Sequence, residues 1–166
     1  MKALLCYDSR VAELDLLIKT LDSAIWELGE AFTDLPDEDL WRRPDPRLLS
    51  VGELAAHIAY GEAAWVCGGE LKSPLLDLAV DYYPHAVGQV ASSPLSASEV
   101  YEEVKRVHEA CKAAFLADPR PLNEACPARP EWTWEYAFQY QAFHIAYHTG
   151  QIYSVRHLMG HETVDN

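Results

Sequence analysis

Four stretches of this 166-residue chain space their apolar residues at intervals of three and four, which commits them to helices. In the first, Val11, Leu14, Leu17, Ile18, Leu21, Ile25 and Leu28 share one face; Asp8 or Ser9 is placed to cap its start, and Gly29 and then Pro36 mark its end. The second opens at Ser50, where Ser50-Val-Gly-Glu53 has the form of a capping box. Leu54, Ile58, Ala64 and Trp65 are its apolar set, His57 and Gly61 lie on the same side, and Gly68-Gly69 ends it. A second capping box, Ser96-Ala-Ser-Glu99, opens the third helix at Ser96 or Ser98; Val100, Val104, Val107, Cys111, Ala114 and Phe115 form its stripe, and Pro119 and Pro121 stop it. In the fourth stretch Trp132, Trp134, Tyr136, Phe138 and Tyr140 alternate as in a strand. Gln141, His144, Ile145, His148, Ile152, Val155 and Leu158 then follow the helical period. A lone strand would have no partner, so the spacing predicts a helix from about Thr133 to Met159, with Gly160 past its end. Gly150 inside it costs about 1 kcal/mol relative to alanine. Such a glycine reads as close packing or as room beside a site.

The connections are unequal. Pro36, Pro44 and Pro46 forbid a regular helix in the first, and Leu40 and Trp41 are expected to tuck it onto the body. Residues 70–97 carry Pro74, Pro84 and Pro94 together with Tyr82 and Tyr83, and read as a long irregular crossover with a helical turn near Leu75 to Val80. Four amphipathic helices without a reliable strand define an all-α fold: a four-helix bundle with a long crossover between the second and third helices. The length suits one domain, residues 1–166.

Charge narrows the function. Lys and Arg number 13 against 26 Asp and Glu, a net charge of −13. Nucleic-acid binding draws its affinity from basic side chains on phosphates, and binding to an anionic membrane surface needs the same, so both are excluded. The opening run Met1 to Tyr7 meets Asp8 and Arg10 too soon for a secretory signal, and no stretch approaches the ~20 apolar residues of a membrane span. Cys6, Cys67, Cys111 and Cys126 form no CxxC pair and read as reduced thiols of a cytoplasmic protein.

One constellation carries chemistry. His144-Ile-Ala-Tyr-His148 sets two imidazoles one turn apart on one helical face, where both can reach one metal ion. Position 145 is Ile, so the HExxH pattern and its general-base glutamate are absent. His157 and His161 share the spacing, but Gly160 lies between them and the pair straddles a helix end. The plain alternative for His144 and His148 is a pair of partly buried rings satisfied by hydrogen bonds. His57, in step with Leu54 and Gly61 on the apolar side of the second helix, offers a third ligand from a facing helix, as bundle metal sites require. Three neutral ligands leave positions open for water or substrate. Gln141 and Gln151 lie one turn to either side of the pair and can orient its rings. Glu53, one turn before His57, reads as a cap only, and Tyr60 and Tyr147 as packing.

The order of these parts resembles the DinB/YfiT-like superfamily of metal-dependent enzymes. The matching pieces are Leu40-Trp41-Arg42-Arg43-Pro44, Leu49-Ser-Val-Gly-Glu-Leu-Ala-Ala-His57, and His144-Ile-Ala-Tyr-His148-Thr-Gly-Gln151-Ile152 running on through Arg156 to Gly160. The resemblance spans nearly the whole chain and implies a four-helix bundle with a long crossover. It implies that His57, His144 and His148 bind a divalent metal, nickel or zinc, and that the protein forms a homodimer. It implies a small-molecule substrate and transfer of a low-molecular-weight thiol to an electrophile, with metal-dependent hydrolysis as the near neighbour. A non-catalytic metal- or ligand-binding stress or sensor bundle is the alternative from another class. The sequence offers no obvious cationic cluster for a carboxylate-bearing substrate; Arg42, Arg43 and Arg156 are the candidates. From Tyr136 to His161 there is no Asp or Glu, so the acidic surface belongs largely to the first helix and its connection.

Overall fold

The structure, a computed structural model, describes residues 2–67, 70–80 and 90–164, with side chains from residue 11 onward. Its helices are α1 (Lys2–Phe32), the short α2 (Asp37–Leu40), α3 (Val51–Val66), α4 (Ala97–Ala117) and α5 (Trp134–Leu158). A 3-10 turn at Leu76–Leu78 interrupts the crossover, and a hairpin of β1 (Ala125–Cys126) and β2 (Arg129–Thr133) precedes α5. The architecture is the expected all-α bundle. α1 packs on α4 and α5, and α3 packs on the same two, so the long helices form a closed square. Leu21, Ile25 and Leu28 of α1, Leu54 and Ile58 of α3, Val100, Val104 and Val107 of α4, and Ile145 and Ile152 of α5 are buried at its centre.

Both capping boxes form. Ser50 and Ser96 accept from the backbone N–H groups of Glu53 and Glu99, whose carboxylates accept the cap residues' own N–H groups in return. The predicted turn near Leu75 is the 3-10 turn, closed by Ala79 in the left-handed region at φ 47°. Gly68-Gly69, Tyr82, Tyr83 and Pro84 lie outside the described residues.

Three expectations are corrected. α1 begins at Lys2, ahead of Asp8 and Ser9, and runs through Gly29 to Phe32. Gly29 does not end it; a Cβ there would collide with the Tyr101 ring of α4, so this glycine allows close helix packing. Secondly, a strand does precede α5. Trp132 lies in β2, which pairs antiparallel with β1, Ala125 against Thr133 and Cys126 against Arg129. The helix then starts at Trp134 with Thr133 as its cap, Oγ1 accepting from Tyr136 N. Thirdly, Val11, Ala64, Ala114 and Leu158, counted on apolar faces, are exposed.

The first connection is anchored, not loose. Leu40 is fully buried, and the Trp41 indole lies so close to Gly52 that a Cβ would meet Trp41 Cε3 at 2.6 Å. Arg43 reaches under α3 to form a two-pronged ion pair with Glu53, Nη2 to Oε1 at 2.6 Å and Nε to Oε2 at 2.8 Å. The motif therefore fixes the first turn of α3, one turn ahead of His57.

Candidate metal centre

His57 of α3 and His144 and His148 of α5 converge inside the bundle. One ring nitrogen from each lies within 4.8 Å of the others. Ring centroids are 4.9 Å apart for His57 and His144, 4.6 Å for His57 and His148, and 4.5 Å for His144 and His148. The Nε2 atoms of His57 and His144 are 3.0 Å apart. α3 packs on α5, so the third imidazole comes from the facing helix.

The outward nitrogens set the tautomers. His57 Nδ1 lies 3.0 Å from the carbonyl oxygen of Val80. His148 Nδ1 lies 2.7 Å from Gln151 Oε1. A carbonyl oxygen can only accept, so both Nδ1 atoms carry the proton and both Nε2 atoms present a lone pair. Gln151 is held in turn, its Nε2 donating to the Tyr147 hydroxyl at 3.4 Å. Val80 is fully buried and follows the left-handed Ala79, so this tight turn aims that carbonyl at the ring.

Burial, with the neighbouring His148 and His57 rings adding to it, pushes the His144 pKa down to about 3. His148 is lowered to about 4, again by burial and by His57, against the opposing hydrogen bond to Gln151. Both rings are therefore neutral near pH 7 and need lose no proton to bind a cation. His144 Nδ1 is buried and, among the described residues, has no hydrogen-bond partner. Gly61, facing from α3, seats this ring: a Cβ there would meet His144 Cε1 at 3.0 Å. Orientation, neutrality and an all-imidazole donor set fit a borderline-soft divalent cation such as zinc or nickel.

The other sequence candidates separate. Gln151 meets the His148 ring through its Oε1. Gln141 is buried with both amide atoms unpartnered among the described residues, and touches neither His144 nor His148 through a hydrogen bond. Glu53 is a cap and more, because it also holds Arg43 and accepts from Ala91 N at 2.9 Å. Burial raises its pKa, but Arg43 and the Ser50 and Ala91 amides prevail and hold it below the usual value. Tyr147 does more than pack, since it positions Gln151. Gly150 faces open space, so it neither allows close packing nor makes room beside the site. The three candidate cations are committed. Arg42 pairs with Asp39, Arg43 with Glu53, and buried Arg156 donates to the carbonyls of Ala31 and Thr33 at the end of α1.

Two features had no clear sequence signal. The Val80 carbonyl is backbone, so no residue type announces it. The other is a buried polar bridge on α4: His108 meets Glu62 of α3 at 2.7 Å and Asp22 of α1 at 3.0 Å, with Lys112 on Asp22 at 2.7 Å. Its position between Val104 and Cys111, on the stripe that faces the core, was the available sign. A cleft of about 780 Å³ opens at Tyr60, one turn beyond His57, and is walled by Trp65, Leu71, Leu76, Phe115 and Trp134. The three histidines do not line it.

A helical bundle with three imidazoles converging from two facing helices defines a class of protein built around a candidate metal centre. The family model of the DinB superfamily matches residues 20–152, and the chain belongs to that superfamily. A comparison with curated proteins returned no match. No helix among the described residues is long and apolar enough to cross a membrane.

Proposed function

We propose that the protein holds a divalent metal ion, nickel or zinc, on His57, His144 and His148, and uses it to act on a small molecule. The observation that carries this reading is the paired geometry of the rings: Nδ1–H groups tied outward to Val80 O and Gln151 Oε1, ring nitrogens gathered inward within 4.8 Å. An ion bound by three neutral ligands supplies Lewis acidity and lowers the pKa of a water or thiol that joins it. The chain's own part is to fix the three rings, keep His144 and His148 unprotonated through burial, and aim all three from two rigid helices. The reaction we infer is transfer of a low-molecular-weight thiol to an electrophile, with hydrolysis as its neighbour. The aromatic and aliphatic wall of the cleft beside Tyr60 gives the non-reacting part of a substrate a place to bind.

Elemental analysis of protein purified without a histidine tag tests the site, with close to one ion per chain expected. His144→Ala should lose most of that ion; unchanged stoichiometry would remove these histidines from the site. Turnover of an electrophile by the metal-loaded protein, with and without a low-molecular-weight thiol, separates the two chemistries. Thiol-independent turnover points to hydrolysis and overturns the transferase reading.

A further inference from the structure

α3 ends at Val66, and Cys67 is its C-cap residue, with its N–H bound to Ala63 O. Cys111 lies on the buried stripe of α4, the helix against which α3 packs. The two Sγ atoms are 3.3 Å apart. A disulfide requires about 2.0 Å, so closing the bond needs about 1.3 Å of approach. That approach falls where a helix has already ended, so it breaks no ladder within α3.

The pair is asymmetric. Cys67 is half-buried at a helix end, whereas Cys111 is almost wholly buried. An oxidant from solvent therefore meets Cys67 first, with Cys111 waiting behind it. We propose that Cys67 and Cys111 form a reversible intramolecular disulfide when the protein encounters a peroxide, with Cys67 as the attacked thiol and Cys111 as the resolving one. This site is separate from the histidine cluster and does not depend on its metal.

The chemistry closes without a further reactant. The Cys67 thiolate attacks one peroxide oxygen, the O–O bond breaks, and the departing oxygen takes a proton to leave as water or an alcohol. Cys67 becomes a sulfenic acid. The Cys111 sulfur then attacks the Cys67 sulfur and the S–O bond breaks. The hydroxyl leaves as water with the proton that Cys111 gives up. Two thiols are oxidised by two electrons and one peroxide is reduced. Burial, the nearby Glu62 carboxylate and the Cys67 thiol all push the Cys111 pKa upward, which agrees with its second place in the order. Reversible disulfides of this kind in reducing compartments are typically sensing or protective.

The test is peptide mapping of the full chain after hydrogen peroxide treatment and alkylation of the remaining thiols. The expected product is a Cys67–Cys111 linked peptide, with the loss of two hydrogens from the intact mass, reversed by dithiothreitol. Cys111→Ser should abolish the link and leave Cys67 trappable by dimedone as a sulfenic acid. Cys67→Ser should slow oxidation of Cys111 by roughly tenfold or more, because the more accessible thiol is gone. The proposal fails if wild-type Cys67 passes to sulfinic acid without the link, if it pairs with another cysteine, or if Cys111 in Cys67→Ser oxidises at the wild-type rate. The wild-type map decides the matter even if a variant folds poorly.

Discussion

Gly61 allows the candidate centre to be disturbed without altering any of its three imidazoles. A Cβ at this position would lie 3.0 Å from His144 Cε1, 3.6 Å from Nδ1 and 3.9 Å from Nε2. Ordinary contact begins at 3.4 Å, so Gly61→Ala forces Cε1 back by 3.4 − 3.0 = 0.4 Å. Cε1 is bonded to both ring nitrogens, so the shift also moves Nε2 from the position it holds beside His57. Restoring the ring against a displaced rotamer costs about 0.5–1.5 kcal/mol. About 1.4 kcal/mol is tenfold, so the expected loss of zinc or nickel affinity is between about twofold and about tenfold. The same substitution removes a glycine from inside a helix, a gain of about 1 kcal/mol. In metal-free protein the ring is free to tilt, so the melting temperature should hold or rise by about 2–4 °C. Competition titration against a chelating dye measures the first quantity, and a thermal melt in a chelator the second. Weaker metal binding with unchanged or higher stability supports the seat. Full affinity in the stabilised variant would refute it, and so would parallel loss of both, which signals general misfolding.

Other substitutions probe the supports of the same centre. Gly52→Ala puts a Cβ 2.6 Å from the rigid Trp41 ring and should destabilise by about 1–3 kcal/mol, read as a lower urea midpoint. Glu53→Ala strands the Arg43 guanidinium, whose side chain is 7% exposed, and should cost about 3–5 kcal/mol in chemical denaturation, against little change for Asp118→Ala in the exposed pair with Arg120. His108, faced by Asp22 of α1, Glu62 of α3 and Lys112 of its own helix, is opposed by burial yet held above its usual pKa by the two carboxylates. Its stabilisation is therefore complete below the unfolded value of about 6.5 and is lost as pH rises through the folded value; urea midpoints measured from acid to alkaline pH should decline in the wild type and flatten there in His108→Gln, and equal slopes would dismiss the bridge.

The bundle was readable in the sequence because its helices obey a strict apolar period and its two capping boxes use the residues that helix starts require. His144 and His148 were readable for a related reason: a spacing of four fixes two side chains on one face whatever surrounds them. His57 needed the further step of supposing a facing helix, which the packing of α3 on α5 supplies. What escaped depends on backbone or on partners distant in sequence. The hairpin before α5 was missed because its first strand, Ala125–Cys126, is two residues long and shows no alternation. The Val80 carbonyl is positioned by a left-handed Ala79, a conformation no residue type advertises there. Arg156 looked available because no acid lies between Tyr136 and His161; its partners are carbonyls at the end of α1, more than 100 residues away in sequence.

Those commitments bear on what such a centre would accept. No described carboxylate joins the three histidines in their cluster. Glu53, the nearest acid in sequence to His57, is tied to Arg43, Ser50 and Ala91. Glu62, one turn further along α3, is tied to His108. A divalent ion on His57, His144 and His148 would keep its full double charge in a buried setting, where uncompensated charge is costly. Among the described residues no carboxylate is placed to compensate it, so an anion from solution would be favoured. Arg42, Arg43 and Arg156 already have partners, so these three do not compete for such an anion. A thiolate or carboxylate would then be drawn to the ion itself, inside a protein whose net charge is −13.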